Sequence, residues 1–228
     1  MQLLCFELPG KRERSGRQLR RAKKRLGQTV ARRRFHSIGS PEEFLSGNDP
    51  VLACVIARLA ERWPASPSED PIWGLIRIVI AQQVSTQRAC KIADRMREEF
   101  PRIENSPGEC GLELGVLRGF GIPEKRARCC VAICEAAGSL LSQVKNGGTW
   151  EEALAGFKGI GPWTVAVFRI MILREPDVLP LGDVGLERAI SNVYGDAHNV
   201  QKLAENWRPF RSVACWYLWR TLGNKQLG

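Results

Sequence analysis

Residues 157–190, FKGIGPWTVAVFRIMILREPDVLPLGDVGLERAI, set two glycines around one isoleucine, then a proline, an apolar run and a single aspartate. That order restricts the fold more than any other feature of the chain. Gly159 and Gly161 permit backbone conformations and close approaches that a side chain blocks, and Pro162 suits the first turn of a helix. The helix opened there carries Trp163, Ala166, Val167, Ile170 and Met171 on one face and Val165, Phe168 and Ile172 on others. Apolar residues on every side predict a buried helix rather than a surface one. VLPLG then interrupts it, and Asp183 is a preferred type of residue to cap the next helix, GLERAI. The segment reads as a helix-hairpin-helix unit at about 154–172, a return loop and a further helix.

The helical period continues elsewhere. Ser40 before Pro41 and Asp49 before Pro50 are capped starts, and Val51, Leu52, Val55, Ile56 and Leu59 follow at helical spacing. Ile72, Leu75, Ile76, Val79 and Ile80 mark another helix, and Ala89, Ile92, Ala93 and Met96 one more. Between these two, AQQVST puts Gln82, Gln83, Ser85 and Thr86 directly after a strongly apolar helix, so that junction should face something polar. LRGFGIPEKRARC, from Leu117, repeats the Gly-apolar-Gly pattern of the hairpin, and Gly223 is placed to cap the last helix. No stretch alternates as a strand does. The expectation is an all-α fold of about ten helices over residues 41–228.

The net charge of +10 is uneven: residues 1–36 hold twelve Lys or Arg and two Glu, which leaves 22 of each sign in the remainder. KRERSGRQLRRAKKRLGQTVARRR, within a leader at 1–40, repels itself and is expected to be flexible until it meets a polyanion such as nucleic acid. A solubilising tail, a transit-peptide-like segment and an upstream start codon are the alternatives. The eight cysteines lie in apolar or helical stretches with no secretory h-region before them, so reduced thiols and an intracellular location are expected. Cys130 and Cys134 share a helix face, but no second pair completes a zinc set or an iron-sulfur cluster. His36 and His198 stand alone, against a Ser-His or Cys-His nucleophile.

The first N–H groups of the helix after the hairpin carry the positive end of its dipole, so an anion such as a DNA phosphate can dock there without Lys or Arg. GIG is otherwise an ordinary helix-to-helix turn, and Asp183 otherwise only a cap. Both together, at a fixed short distance, favour a site. Flanked by Leu181 and Val184 and near tryptophans, the Asp183 carboxylate would stabilise developing positive charge in a poorly hydrated cleft.

FKGIGPWTVA followed by PLGDVGL resembles the helix-hairpin-helix DNA glycosylases, specifically the 3-methyladenine DNA glycosylase II type. IAQQVSTQRA, GFGIPEKRARCC and WRPFRSVACWYLWR resemble other blocks of that family in the same order, so the resemblance runs from about Asp49 to Gly223. It implies an all-α, two-lobed fold with a base pocket between the lobes and a catalytic aspartate at Asp183. Gly159, Ile160 and Gly161 would present amides to a phosphate, with Thr164 and Gln82 beside the DNA and Gln83 as the wedge that fills the gap left by a flipped nucleotide. Carbonyls of Ala155, Phe157 and Ile160 match positions that hold a monovalent cation, Na+ or K+, in relatives; no other cofactor is implied. Trp163 matches a pocket-lining position, and Trp73, Trp216 and Trp219 are further pocket candidates. Strand-cleaving relatives carry a lysine at the position of Trp163, so the resemblance implies simple base removal from damaged double-stranded DNA by a monomer, with no membrane involved.

Two departures bear on substrate range. Many relatives have an acidic residue in place of Trp73 and an aromatic residue in place of Val167. Some also carry an N-terminal sheet domain, for which this chain has no room. An alkylpurine glycosylase is the first reading; a glycosylase for oxidised or deaminated bases, or a non-catalytic DNA-binding protein, are the alternatives.

Overall fold

The computed structural model describes residues 39–223 apart from 60, 68, 83, 104, 105, 110, 197 and 198, so the basic leader, Gln83 and His198 lie outside the described residues. These residues form twelve α-helices and one 3-10 turn, with no strand among them. The helices are α1 (Pro41–Asn48), α2 (Pro50–Leu59), α3 (Pro71–Ala81), α4 (Thr86–Glu99), α5 (Leu114–Gly119) and α6 (Glu124–Glu135). They continue with α7 (Ala137–Lys145), α8 (Trp150–Leu154), α9 (Pro162–Met171), α10 (Val184–Tyr194), α11 (Val200–Glu205) and α12 (Arg211–Thr221). The 3-10 turn is Pro107–Glu109.

The helix starts follow from local chemistry. Ser40 and Glu43 form a reciprocal capping box on α1, Asp70 accepts from the amides of Ile72 and Trp73 at the head of α3, and Pro occupies the first turn of both. Asp49 does more than cap α2. It accepts from Val51 and Leu52 amides, from the Tyr194 hydroxyl at 2.7 Å and from the Trp207 indole at 2.9 Å, which ties α2 to the chain's later helices. At the far end, α12 stops at Thr221 with Leu222 as its cap, one residue before the expected Gly223.

Packing falls into two sets. α12 contacts α1, α2 and α10, whereas α3 contacts α4, α6, α9 and the 3-10 turn. α3 is buried on all sides from Ile72 to Ile80, and each fully buried aliphatic side chain there contributes about 1.5–3 kcal/mol of burial free energy. Where α3 meets the end of α9, a Cβ on Gly74 would lie 2.6 Å from the Ile172 side chain, so the close approach requires glycine. Five described cysteines, at 54, 129, 130, 134 and 215, are free thiols. Cys90, on α4, departs from the expectation of reduced thiols: it is disulfide-bonded.

Candidate active site

The hairpin is built by two short-range devices. Thr149 and Glu152 cap α8 reciprocally, and the seven-residue connection to α9 then turns through Gly156 (φ +86°) and Gly159 (φ +98°). These are left-handed backbone angles that favour glycine. A Cβ on Gly159 would also lie 3.3 Å from Cys129 Sγ on α6, so the loop is seated against that helix. Gly161 caps α9 with no side chain over the helix end. The amides of Gly159, Gly161, Trp163 and Thr164 donate to no group among the described residues; Thr164 is buried, while Gly159 and Gly161 are exposed and leave their amides open to an anion. Ile160 does not contribute. Its N–H is spent on the Phe157 carbonyl at 3.1 Å, because the turn closes through that bond.

From Met171 the chain returns through residues 172–182, held by the first turn of α12. Ser212 Oγ accepts from the Val178 amide at 2.8 Å, and the Arg211 guanidinium grips Asp177 at 2.6 Å. Asp183 then caps α10 and is 4% exposed. Its Oδ1 accepts from the Leu186 amide at 2.5 Å and from the Trp219 indole at 2.9 Å, while Oδ2 accepts from the Trp163 indole at 2.6 Å. A carboxylate has about four acceptor sites, so three donors leave one on Oδ2. Cys215, one turn before Trp219, has its thiol pushed up by burial and then by the Asp183 charge, which keeps it protonated and unreactive.

An open cavity of about 360 Å³ lies in front of Asp183. Gln82, Thr164 and Gly159 form one side, Gly182, Val184 and Gly185 the other, and Trp163 and Asp183 complete it. The Gln82 amide bridges α3 to the hairpin by donating to Thr164 Oγ1 at 3.0 Å and to the Gly159 carbonyl at 3.4 Å. The structure therefore gathers Gln82, Gly159, Trp163, Thr164 and Asp183 around one space.

The other pocket candidates are not part of that lining. Trp73 is 0% exposed, its ring under Arg97 and its indole nitrogen without a hydrogen-bond partner. Trp216 packs edge-on against Trp63 and Tyr217, and Val167 is buried in the core. Trp219 reaches the site through its N–H, not its ring face. Val184, expected to flank Asp183, forms a wall of the cavity, and at 71% exposure it is the most exposed large apolar side chain described. Among the described residues, no three His, Cys, Asp or Glu side chains stand together as metal ligands.

No family model matches the chain. Over 201 residues it is 29% identical to a probable bifunctional transcriptional activator/DNA repair enzyme AlkA of Mycobacterium tuberculosis, covering 77% of this chain and 38% of that protein. It is 28% identical over 207 residues to DNA-3-methyladenine glycosylase 1 of Schizosaccharomyces pombe, covering 81% of this chain and 88% of the relative. The solved 3-methyladenine DNA glycosylase of Schizosaccharomyces pombe in complex with abasic DNA superposes with a TM-score of 0.67 at 27% identity, covering 81% and 97% of the two chains. These likenesses in sequence and fold support a place in the helix-hairpin-helix DNA glycosylase superfamily. The all-helical fold expected of that superfamily is the one observed. Within the glycosylase fold, the hairpin, α10 and α12 converge on Asp183. This chain spans only 38% of the length of its mycobacterial relative.

Proposed function

We propose that the protein is a monofunctional DNA glycosylase that flips an alkylated purine, of the 3-methyladenine or 7-methylguanine type, out of duplex DNA and hydrolyses its N-glycosidic bond. The observation that carries this reading is the buried Asp183 carboxylate, held by three N–H donors, at the wall of a cavity whose rim includes the open amides of the hairpin. A backbone phosphate on those amides would bring the neighbouring sugar to the carboxylate.

Unstacking a base costs a few kcal/mol, less for a damaged one, so selection starts before chemistry. An N-alkylated purine already carries positive charge and leaves without a general acid. As the bond breaks, the sugar becomes oxocarbenium-like. A carboxylate about 4 Å away stabilises that charge by about 4 kcal/mol at an effective dielectric constant of about 20, roughly a thousandfold in rate. The remaining acceptor site on Oδ2 orients water for attack, and the products are the free base and an abasic site. Among the described residues no amine lines the cavity, and Trp163 stands where a Schiff-base lysine would be needed, so the strand is left intact.

The carbonyls of Ala155, Phe157 and Ile160 suit a hard monovalent cation: those of Ala155 and Ile160 accept no hydrogen bond among the described residues, and that of Phe157 accepts one. An ion held there would supply positive charge beside the phosphate seat.

Incubation with methylated duplex DNA should release 3-methyladenine or 7-methylguanine and leave alkali-labile sites, with Asp183→Asn lowering the rate about a thousandfold. Undiminished release by Asp183→Asn would refute the catalytic assignment. No release from any lesion panel, with DNA still bound, would favour a binding protein.

A further inference from the structure

The hairpin separates two grooves of different electrostatic character. One, of about 940 Å³, runs between α8, α9 and the return loop, and Glu151, Asp177 and Glu205 face it together with Arg169 and Arg211. Its cations are already paired, Arg169 with Glu151 and Glu175, and Arg211 with Asp177. The other, of about 840 Å³, runs between the hairpin and α6, where Lys125, Arg128 and Lys158 face it and, among the described residues, no carboxylate does.

We propose that this second groove carries the DNA phosphodiester backbone away from the hairpin, so that the strand leaves over α6 and not over α11. The inference rests on the DNA-glycosylase reading and adds to it the path of the flanking strand. Lys125, Arg128, Cys129 and Ala132 are spaced i, i+3, i+4 and i+7, which puts them on one face of α6, opposite the hairpin residues Phe157 and Lys158. Cations stand at the rim while Cys129, Ala132 and Phe157 supply apolar surface, an arrangement that suits alternating phosphate and deoxyribose. Gly159 borders both this groove and the cavity before Asp183, so a strand with a phosphate on the hairpin amides passes directly into it.

Lys125 and Lys158 enter no ion pair among the described residues. Arg128 is shared with Glu124 at 2.7 Å, but both side chains are exposed, and such a pair is weak enough for a phosphate to recruit the guanidinium. The mixed-charge groove offers the opposite: three carboxylates would face an incoming phosphate, and its arginines would have to leave their partners.

The test is equilibrium binding of the full chain to a short duplex bearing a tetrahydrofuran abasic analogue, between about 50 and 200 mM salt. Each lost phosphate contact lowers the slope of log Kd against log salt by about 0.9, so Lys125→Ala/Arg128→Ala should lower it by about 1.8 and weaken binding about 60-fold at 0.1 M salt. Lys158→Ala should lower the slope by about 0.9, and Lys202→Ala, on the mixed-charge side, should leave it unchanged. All four side chains are exposed, so folding is not at issue. An unchanged slope for the double variant, while the parent binds DNA and releases bases, overturns the path and leaves the glycosylase reading standing. A slope lowered by Lys202→Ala instead assigns the strand to the other side. A parent that neither binds the duplex nor releases bases overturns both.

Discussion

Trp219→Phe separates two roles that a tryptophan beside Asp183 can play. The indole donates to Asp183 Oδ1 at 2.9 Å and does not line the cavity, so its expected role is to aim the carboxylate rather than to stack on a base. Phenylalanine keeps most of the ring and removes the donor. A hydrogen bond to a charged group is worth about 1.5–3 kcal/mol. The missing volume of about 40 Å³ adds about 1 kcal/mol at roughly 24 cal/mol per Å³. Stability should therefore fall by about 2.5–4 kcal/mol, measured by denaturant unfolding. The carboxylate keeps the Leu186 amide and the Trp163 indole, so it stays in place but loses one of its two side-chain guides. If the lost alignment is worth about 1.4–2.8 kcal/mol in the transition state, base release slows about 10- to 100-fold. The assay is single-turnover release of 7-methylguanine from methylated duplex over a range of enzyme concentrations. The maximal rate should fall while the half-saturating concentration stays nearly constant. Two results would refute the reasoning: an unchanged maximal rate, which reduces Trp219 to core packing, or a loss confined to half-saturation, which makes it a base contact.

Gly159→Ala meets both a φ of +98° and the Cys129 thiol at 3.3 Å, so we expect a loss of about 1–3 kcal/mol, seen as a lower Tm, together with weaker DNA binding as the amide seat shifts. At high pH both tyrosines are sensitive, Tyr217 as well as Tyr194, and the Tyr194 hydroxyl is the one tied to Asp49. Burial, then its bond to Asp49, pushes it well above the usual tyrosine value of 10.0 in the folded chain. Its contribution to stability is therefore complete below pH 10 and is lost as pH rises through and beyond that value, because the unfolded chain ionises first. Denaturant midpoints measured from pH 8 to 11 should decline less steeply in Tyr194→Phe than in the parent, and parallel declines would refute the assignment.

Much of the fold was legible because its signals are local. Ser40, Asp49 and Asp183 each announce a helix start by side-chain chemistry within three residues, and all three accept from the amides expected of a cap. The same locality explains the misses. Ile160 lies between two glycines in sequence, yet only the closed turn reveals that its amide is consumed by Phe157. Trp73 and Trp216 sit on helices buried on nearly every side, where periodicity cannot say which face meets a cavity and which meets the core. The Gln82 bridge to Thr164 spans 82 residues, and the Trp219 bond to Asp183 spans 36; pairings at such separations leave no trace in helical spacing. The expected roles of the basic leader and of Gln83 fall outside the described residues.

The dependence of Asp183 on α12 sets an order of events during synthesis. The hairpin and its open amides are complete once α9 has emerged to Met171, but the return loop waits for Arg211 and Ser212 and the carboxylate for Trp219. On the proposed reading, a nascent chain thus acquires its seat for phosphate nearly fifty residues before it acquires a positioned carboxylate. Ribosome-stalled chains ending between Asp183 and Trp219 would, on the same proposed reading, hold DNA without releasing a base from it.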